Sequence, residues 1–321
     1  NVMALLIIGS LTLLACQILD LDPKPYIIIE IMFSNLGGLI TLVSSIPNII
    51  IAPPAGIQFL EFSLVSIPYV ITCVIITLVI FRIIYREEFL KKVDPRQVKK
   101  IAAVDEWAVI TDRKFFYRAA AVFIITIFGF VISDYLPWTL DFTAMAGGIT
   151  MAAVSKRKVK NALKMVDWEI IFFFIGIFLL VGAVEEVGLL GLIAQPIADL
   201  IASDALLGSF ILCLAGAIIS GFIDNISLSK IMIGVLEDEK VGAIVNGKAK
   251  IPSAIWALLF GANLGGNVTP IGSAATIMGM SLLEKEEYHI SWLDFMKIGI
   301  PVAAIQMVIA LFYLSILYFL L

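Results

Sequence analysis

Two short blocks rich in asparagine and glycine are where this chain could do chemistry. Ser34-Asn35-Leu36-Gly37-Gly38-Leu39-Ile40-Thr41-Leu42-Val43-Ser44-Ser45 aligns, at an offset of 228, with Ala262-Asn263-Leu264-Gly265-Gly266-Asn267-Val268-Thr269-Pro270-Ile271-Gly272-Ser273, and six of the twelve positions are identical. The chemistry open to them is binding rather than bond making. A carboxamide offers donors and acceptors without a charge, and a glycine pair lets the backbone turn and come close to a ligand. A helix that restarts at such a turn presents unpaired N–H groups to an oxyanion. One block alone reads equally as close helix packing by Gly-Gly with Asn as interhelical glue; recurrence in register argues for a site. A second matched pair, Asn1-Val2 and Asn225-Ile226, precedes the blocks by 34 and 38 residues. The candidate solute ligands are Asn1, Ser34, Asn35, Gly37, Gly38, Asn48, Asn225, Asn263, Gly265, Gly266, Asn267 and Thr269.

Asp224 and Glu30 are carboxylates inside apolar runs, which makes them candidates for proton or ion coupling. Asp224 reads alternatively as a helix cap at a hairpin tip, and Glu30, one helical turn before Ser34, as a brace for the break. Lys230, six residues beyond Asp224, could pair with it if the backbone bends. The single histidine, His289, allows no His-based metal cluster, and Cys16, Cys73 and Cys213 lie apart in apolar runs as packing residues. Neither Gly-x-Ser-x-Gly nor His-Glu-x-x-His occurs. No enzyme, metal site or cofactor is expected.

The solvent that these residues meet follows from composition. Of 321 residues 61% are hydrophobic and 15% charged, against roughly a quarter charged in soluble domains, and the mean hydropathy is +1.04. Lipid surrounds most of such a chain. The net charge of −4 argues against a nucleic-acid partner. The fold class expected is an all-α membrane protein: a polytopic helical transporter with inverted repeats, broken helices and re-entrant hairpins. Apolar stretches cover residues 2–19, 26–52, 64–85, 119–133, 140–155, 168–190, 206–236, 253–282 and 296–321. As one helix the 26–52 stretch would run about 40 Å at 1.5 Å per residue, against a hydrocarbon core of about 30 Å. Asn35, Gly37, Gly38, Pro47 and Asn48 interrupt it, so a broken helix is expected. Gly261, Gly265, Gly266, Pro270 and Gly272 do the same to 253–282.

Ten of the 22 Lys and Arg residues fall between Arg82 and Arg118, and five more between Lys156 and Lys164. The positive-inside rule places loops 86–118 and 156–166 in the cytoplasm. The span count sends the acidic 284–294 loop to the same side. The expected organisation is a first repeat over 1–85, a cytoplasmic linker over 86–118, and a second repeat over 119–321. Within the second, 119–190 are scaffold helices and 206–321 carry the transport site. Asn1 opens straight into an apolar run with no initiator methionine and no charged n-region, so it reads as a hairpin tip in a piece of something longer, not as a signal peptide.

At these motifs the chain resembles the ion transporter superfamily, most closely the group holding the arsenite efflux permeases, the NhaD-type sodium/proton antiporters and the P protein, with their citrate-transporter-like domain. Asn1-Val2 through Asp22-Pro23-Lys24-Pro25-Tyr26 is similar to the arm after that family's first Asp-Asn tip. Ser34-Asn35-Leu36-Gly37-Gly38 with Pro47-Asn48 is similar to its Ser-Asn-x-Gly-Gly-Thr…Gly-Asp-Pro-Pro-Asn block. Asp167-Trp168-Glu169, Asp224-Asn225 and Gly261 through Asn267 with Thr269 and Gly272 match its second half. The resemblance implies transport linked to the proton-motive force, a midplane site between two hairpin tips and two broken helices, and movement of a transport domain against a scaffold. Departures from the pattern bear on the solute. Met3 and Ala4 stand where a Thr pair is usual, Ser44-Ser45-Ile46 where Gly-Asp-Pro is usual, and Lys230 where a small residue is usual. Without the carboxylate at Ser45 a sodium/proton reading weakens and a neutral or anionic solute gains.

The function expected is therefore a secondary active transporter of the cell membrane that moves a small inorganic ion or solute, arsenite or another oxyanion-like solute first, coupled to a proton or ion gradient. A truncated non-transporting paralogue or membrane interaction subunit is the rival. A sodium/proton antiporter or citrate-type carboxylate carrier comes third, and an ion channel after it. The partners expected are the solute and the bilayer, with a homodimer left open.

Overall fold

A computed structural model describes residues 2–91, 93–97, 112–136, 138–155, 168–188, 196, 199–201, 203–223, 225–237 and 252–320. Asn1, Asp224, the 156–166 loop and residues 98–111 of the 86–118 linker lie outside the described residues. The chain is an all-α polytopic membrane protein. Among the described residues five helices are long and apolar enough to cross a membrane: α1 (Val2–Leu19), α4 (Phe59–Ile84), α6 (Arg113–Ser133), α9 (Ala205–Phe222) and α13 (Trp292–Leu320).

The shorter elements explain why not every apolar run is a plain span. α2 (Lys24–Gly37) carries Pro25 in its first turn, where the missing N–H would have had no helical partner. It ends where the Gly38 N–H donates to Ser34 O at 3.0 Å. A single 3₁₀ turn, Leu42–Ser44, leads through extended Ser45 to the short α3 (Ile46–Ile51). The 26–52 run is therefore broken at its Gly, Pro and Asn residues. In the second half α11 (Pro252–Gly265) stops at the matching glycine, and α12 (Ala274–Lys285) restarts with Ser273 as its N-cap. The 206–236 run is a hairpin, because Ile223 is extended (φ −117°, ψ 141°) between α9 and α10 (Asn225–Glu237). α5 (Arg86–Phe89), α7 (Leu140–Val154) and α8 (Trp168–Glu186) complete the described helices.

The core lies among α1–α4 and α9–α13. α6 and α7 pack on each other and turn large apolar side chains such as Phe123, Ile124, Phe128, Phe142 and Met145 outward, where lipid is their solvent. Asp134, at the end of α6, accepts the N–H groups of Phe59 and Leu60 at 3.0 and 2.9 Å and so caps α4. The packing has a cross pattern: α1 lies on α12, α10 on α3, α2 on α11 and α4 on α13. Pro68 in α4 and Pro301 in α13 are each the tenth residue of their helix. α9 meets α11 most closely, through Gly261 and Gly265; a Cβ there would lie 2.5 Å from Cys213 O and 2.5 Å from Ala217 O.

One end of the bundle gathers several loops. Gln17 Nε2 donates to Glu286 Oε2 at 3.0 Å, Asp22 N to Glu88 Oε1 at 3.1 Å, and Lys91 Nζ to Asp20 O at 2.8 Å. The acidic loop after α12 thus shares an end with the basic corner between α4 and α5.

Candidate solute site

The two breaks cross in the middle of the core and are joined by carboxamides. Asn35, on the last turn of α2, donates from Nδ2 to Asn267 Oδ1 at 2.9 Å. Asn263, its counterpart on α11, donates from Nδ2 to Asn48 Oδ1, also at 2.9 Å, and to Leu259 O at 2.8 Å. Matched asparagines thus reach in opposite directions, each to an asparagine of the other break. Asn48 uses its own N–H groups on the carbonyls of Gly38 and Thr41, at 2.6 and 3.2 Å. The Gly38 carbonyl is one that the unwound segment leaves without a backbone partner, and a buried carbonyl needs one, whereas the Thr41 carbonyl also accepts the Ser44 N–H at 3.1 Å.

A ring of hydroxyls closes around the pairs. Ser273 Oγ donates to Asn35 Oδ1 at 3.0 Å, and Thr276 Oγ1 to Gly266 O at 2.8 Å. Thr269 Oγ1 donates to Gly221 O, and Ser220 Oγ to Ala262 O at 2.7 Å, tying the second break to the α9 end of the hairpin. From Asn267 the network runs outward: its Nδ2 donates to Gln306 Oε1 of α13 at 3.0 Å, and Gln306 Nε2 donates to Thr77 Oγ1 of α4 at 3.0 Å. Gln306, Thr77, Asn48 and Asn267 are fully buried at 0% exposure. Every side chain in this network is neutral, so no charge has to be held in the low-dielectric centre.

The sequence candidates divide by what the structure does with them. Asn35, Asn48, Asn263 and Asn267 come together, but most of their hydrogen-bonding capacity goes to one another and to the broken backbone. Asn263 Oδ1 has no partner among the described residues, and the Asn225 carboxamide, at the buried start of α10, makes no side-chain hydrogen bond there either. Ser34 lies on the last turn of α2 with its carbonyl accepting Gly38 N–H. Gly266 allows the Asn35 amide in, a Cβ there lying 3.1 Å from Asn35 Nδ2. Gly265 serves helix packing against α9, whereas Gly37 has open space where a Cβ would point. Gly38 supplies the carbonyl that Asn48 takes. Asn1 and Asp224 lie outside the described residues.

Glu30 is set apart from the amide network, facing α1. Thr12 Oγ1 donates to its Oε1, and Oε2 is buried with no hydrogen-bond partner. Gly9 of α1 makes the room beside it, a Cβ there falling 3.5 Å from Oε2. The Lys230 ammonium sits 5.5 Å from the centre of the Phe178 ring of α8, a cation–π contact. Among the described residues no group of three or more His, Cys, Asp or Glu could hold a metal ion.

Gln306 and Thr77 were not among the sequence candidates. Gln306 carried a signal, being the one carboxamide in a largely apolar 29-residue helix. Thr77 carried none, since a threonine in an apolar helix usually bonds its own backbone.

Known proteins are similar to this chain. The citrate transporter family matches residues 1–258. An uncharacterized transporter of Mycobacterium tuberculosis is 30% identical over 321 residues, covering 100% of this chain and 74% of the relative. An uncharacterized transporter of Synechocystis is 26% identical over 341 residues, covering 99% and 74%. The human P protein is 23% identical over 393 residues, covering 98% of this chain and 46% of its own length.

Proposed function

The chain belongs to the citrate transporter family and is a multi-pass membrane transporter, not an enzyme, and from that premise we propose that it is a secondary active carrier of a small oxygen-rich anion or oxyanion-like solute, coupled to protons. The observation that carries this reading is the reciprocal pair of asparagine contacts, Asn35 to Asn267 and Asn263 to Asn48, each at 2.9 Å where two broken helices cross. Broken helices at membrane depth are tolerated where they line protein or a ligand path. Carboxamides, hydroxyls and helix N-termini are suited to oxygen-bearing solutes. Lys230, whose ammonium lies over an aromatic ring rather than in a described ion pair, adds a cation near the hairpin. Arsenite and a carboxylate such as citrate are the two solute classes to be distinguished.

The site belongs to two inverted repeats, 1–85 and 119–321, joined by a linker at 86–118. Support for the inversion comes from the exchange of partners, α1 on α12 and α10 on α3, and from the matched prolines Pro68 and Pro301. The basic loops 86–118 and 156–166 face the cytoplasm, and the host is the cell membrane. Glu30 takes the coupling proton on the oxygen that has no partner, Oε2, with Asp224 as the alternative.

The test is uptake into proteoliposomes. Labelled citrate or arsenite should enter saturably, faster with an imposed proton gradient, and Asn263→Ala and Asn35→Ala should abolish entry. Unchanged saturable uptake in both variants would remove the site. Wild-type protein that moves neither solute would remove the solute class.

A further inference from the structure

At the end of the bundle where α4 turns into α5, Val79, Arg82, Ile83, Arg86, Phe89 and Leu90 line a cavity of about 470 Å³. We propose that this cavity binds the phosphate of one anionic phospholipid, held by Arg82 and Arg86, with its acyl chain laid along Val79 and Ile83. Positions 79, 82 and 83 follow the i, i+3, i+4 spacing of one face of α4. Polarity is graded along that face. Val79 and Ile83 are 52% and 71% exposed on a membrane-length helix, so acyl chains are their solvent. Arg82 stands in the last turn of α4, and Arg86 opens α5 beyond the bend at Tyr85. Both guanidiniums line one cavity, and a guanidinium has the fork geometry that a phosphate accepts.

Among the described residues neither arginine makes an ion pair or a side-chain hydrogen bond. Among the described residues the ion pair present is Lys297 with Asp294, far along the chain. Glu88 is engaged by the Asp22 N–H, and Lys91, also at this end, donates to Asp20 O and leaves its charge in place. Phe89 and Leu90 wall the cavity on the α5 side. A free phosphate would use the arginines but leave the apolar floor empty, whereas a phospholipid covers both. The site sits at the membrane end of α4, the helix whose Thr77 closes the amide network.

Native mass spectrometry of the full chain in detergent tests this directly, with phosphatidylglycerol, phosphatidylcholine and inorganic phosphate as the three probes. Wild-type protein should hold one phosphatidylglycerol at least tenfold more tightly than phosphatidylcholine. The Arg82→Gln/Arg86→Gln variant should lose that preference and bind both lipids alike. Lys285→Gln, which removes an exposed charge outside the cavity, should keep it. If the double variant does not fold, Arg82→Lys/Arg86→Lys replaces it and should weaken phosphatidylglycerol about threefold, since a point charge lacks the fork. The proposal is overturned by equal preference in wild type, by preference surviving in the double variant, or by an equal loss in Lys285→Gln. Inorganic phosphate displacing the lipid at similar concentration would also overturn it, because the apolar floor would then contribute nothing.

Discussion

Asn263 of α11 donates to Asn48 of α3 at 2.9 Å across 215 positions of sequence, and Asn48 in turn satisfies the carbonyls of Gly38 and Thr41. One side chain therefore braces the first break and receives the second. Asn35 and Asn267 repeat the crossing in the other sense at 2.9 Å.

Bracing and solute contact should separate by mutation. Asn48→Ala strands the buried Gly38 carbonyl, at about 1–3 kcal/mol for an unsatisfied group, so it should lower the thermal midpoint of the purified protein as well as transport. Asn225→Ala removes a carboxamide without a described side-chain partner, and should weaken solute affinity at nearly unchanged midpoint. Thermal unfolding in detergent, read beside uptake, checks both; equal midpoints for the two variants would contradict the division.

Gln306 links the second break to α4 through Thr77. Gln306→Leu should raise KM about tenfold with kcat within about twofold, as expected when an interaction serves binding rather than the rate-limiting step. Thr77→Val should give a smaller rise, and Gln306→Leu/Thr77→Val should be no worse than Gln306→Leu alone, because the two residues act through one chain of bonds. Additive effects would show that they act independently.

The two glycines at matched positions should not tolerate the same change. Gly265→Ala places a methyl 2.5 Å from Ala217 O, a backbone atom that cannot step aside, while Gly37→Ala meets nothing within 4 Å. Size-exclusion chromatography of the purified variants should show Gly37→Ala monodisperse and Gly265→Ala aggregated or absent. The reverse order would contradict the close α9–α11 contact.

Glu30→Gln keeps an acceptor for Thr12 and removes the proton-binding oxygen Oε2. Solute exchange should survive in this variant, but an imposed proton gradient should no longer accelerate uptake. Gradient-driven uptake at the wild-type rate would pass the coupling role to another group, with Asp224 next.

The interruption of the 26–52 and 253–282 runs was legible because Gly, Pro and Asn are costly in a lipid-embedded helix and their clustering has few other causes. The Asn-rich composition of the crossing was legible for the same reason. Which asparagine meets which was not, since contacts spanning 215 and 232 positions depend on how the broken helices cross. Gly265 had two sequence readings, ligand approach and helix packing, and the structure gives packing, because its Cα faces the α9 backbone. Gln306 hid in an apolar helix, where one polar residue says that a partner exists but not which. The capping of α4 by Asp134 left no trace in sequence, being a contact across 75 positions between helix ends.

Counterflow of labelled solute in proteoliposomes without any ion gradient bears most directly on the central claim, because it requires a carrier with a saturable site and is absent from a channel. Preloaded vesicles containing wild-type or Glu30→Gln protein should accumulate labelled citrate or arsenite transiently, and vesicles containing Asn263→Ala should not. Counterflow in Asn263→Ala with the wild-type half-saturation would contradict a solute site at the crossing of the two broken helices.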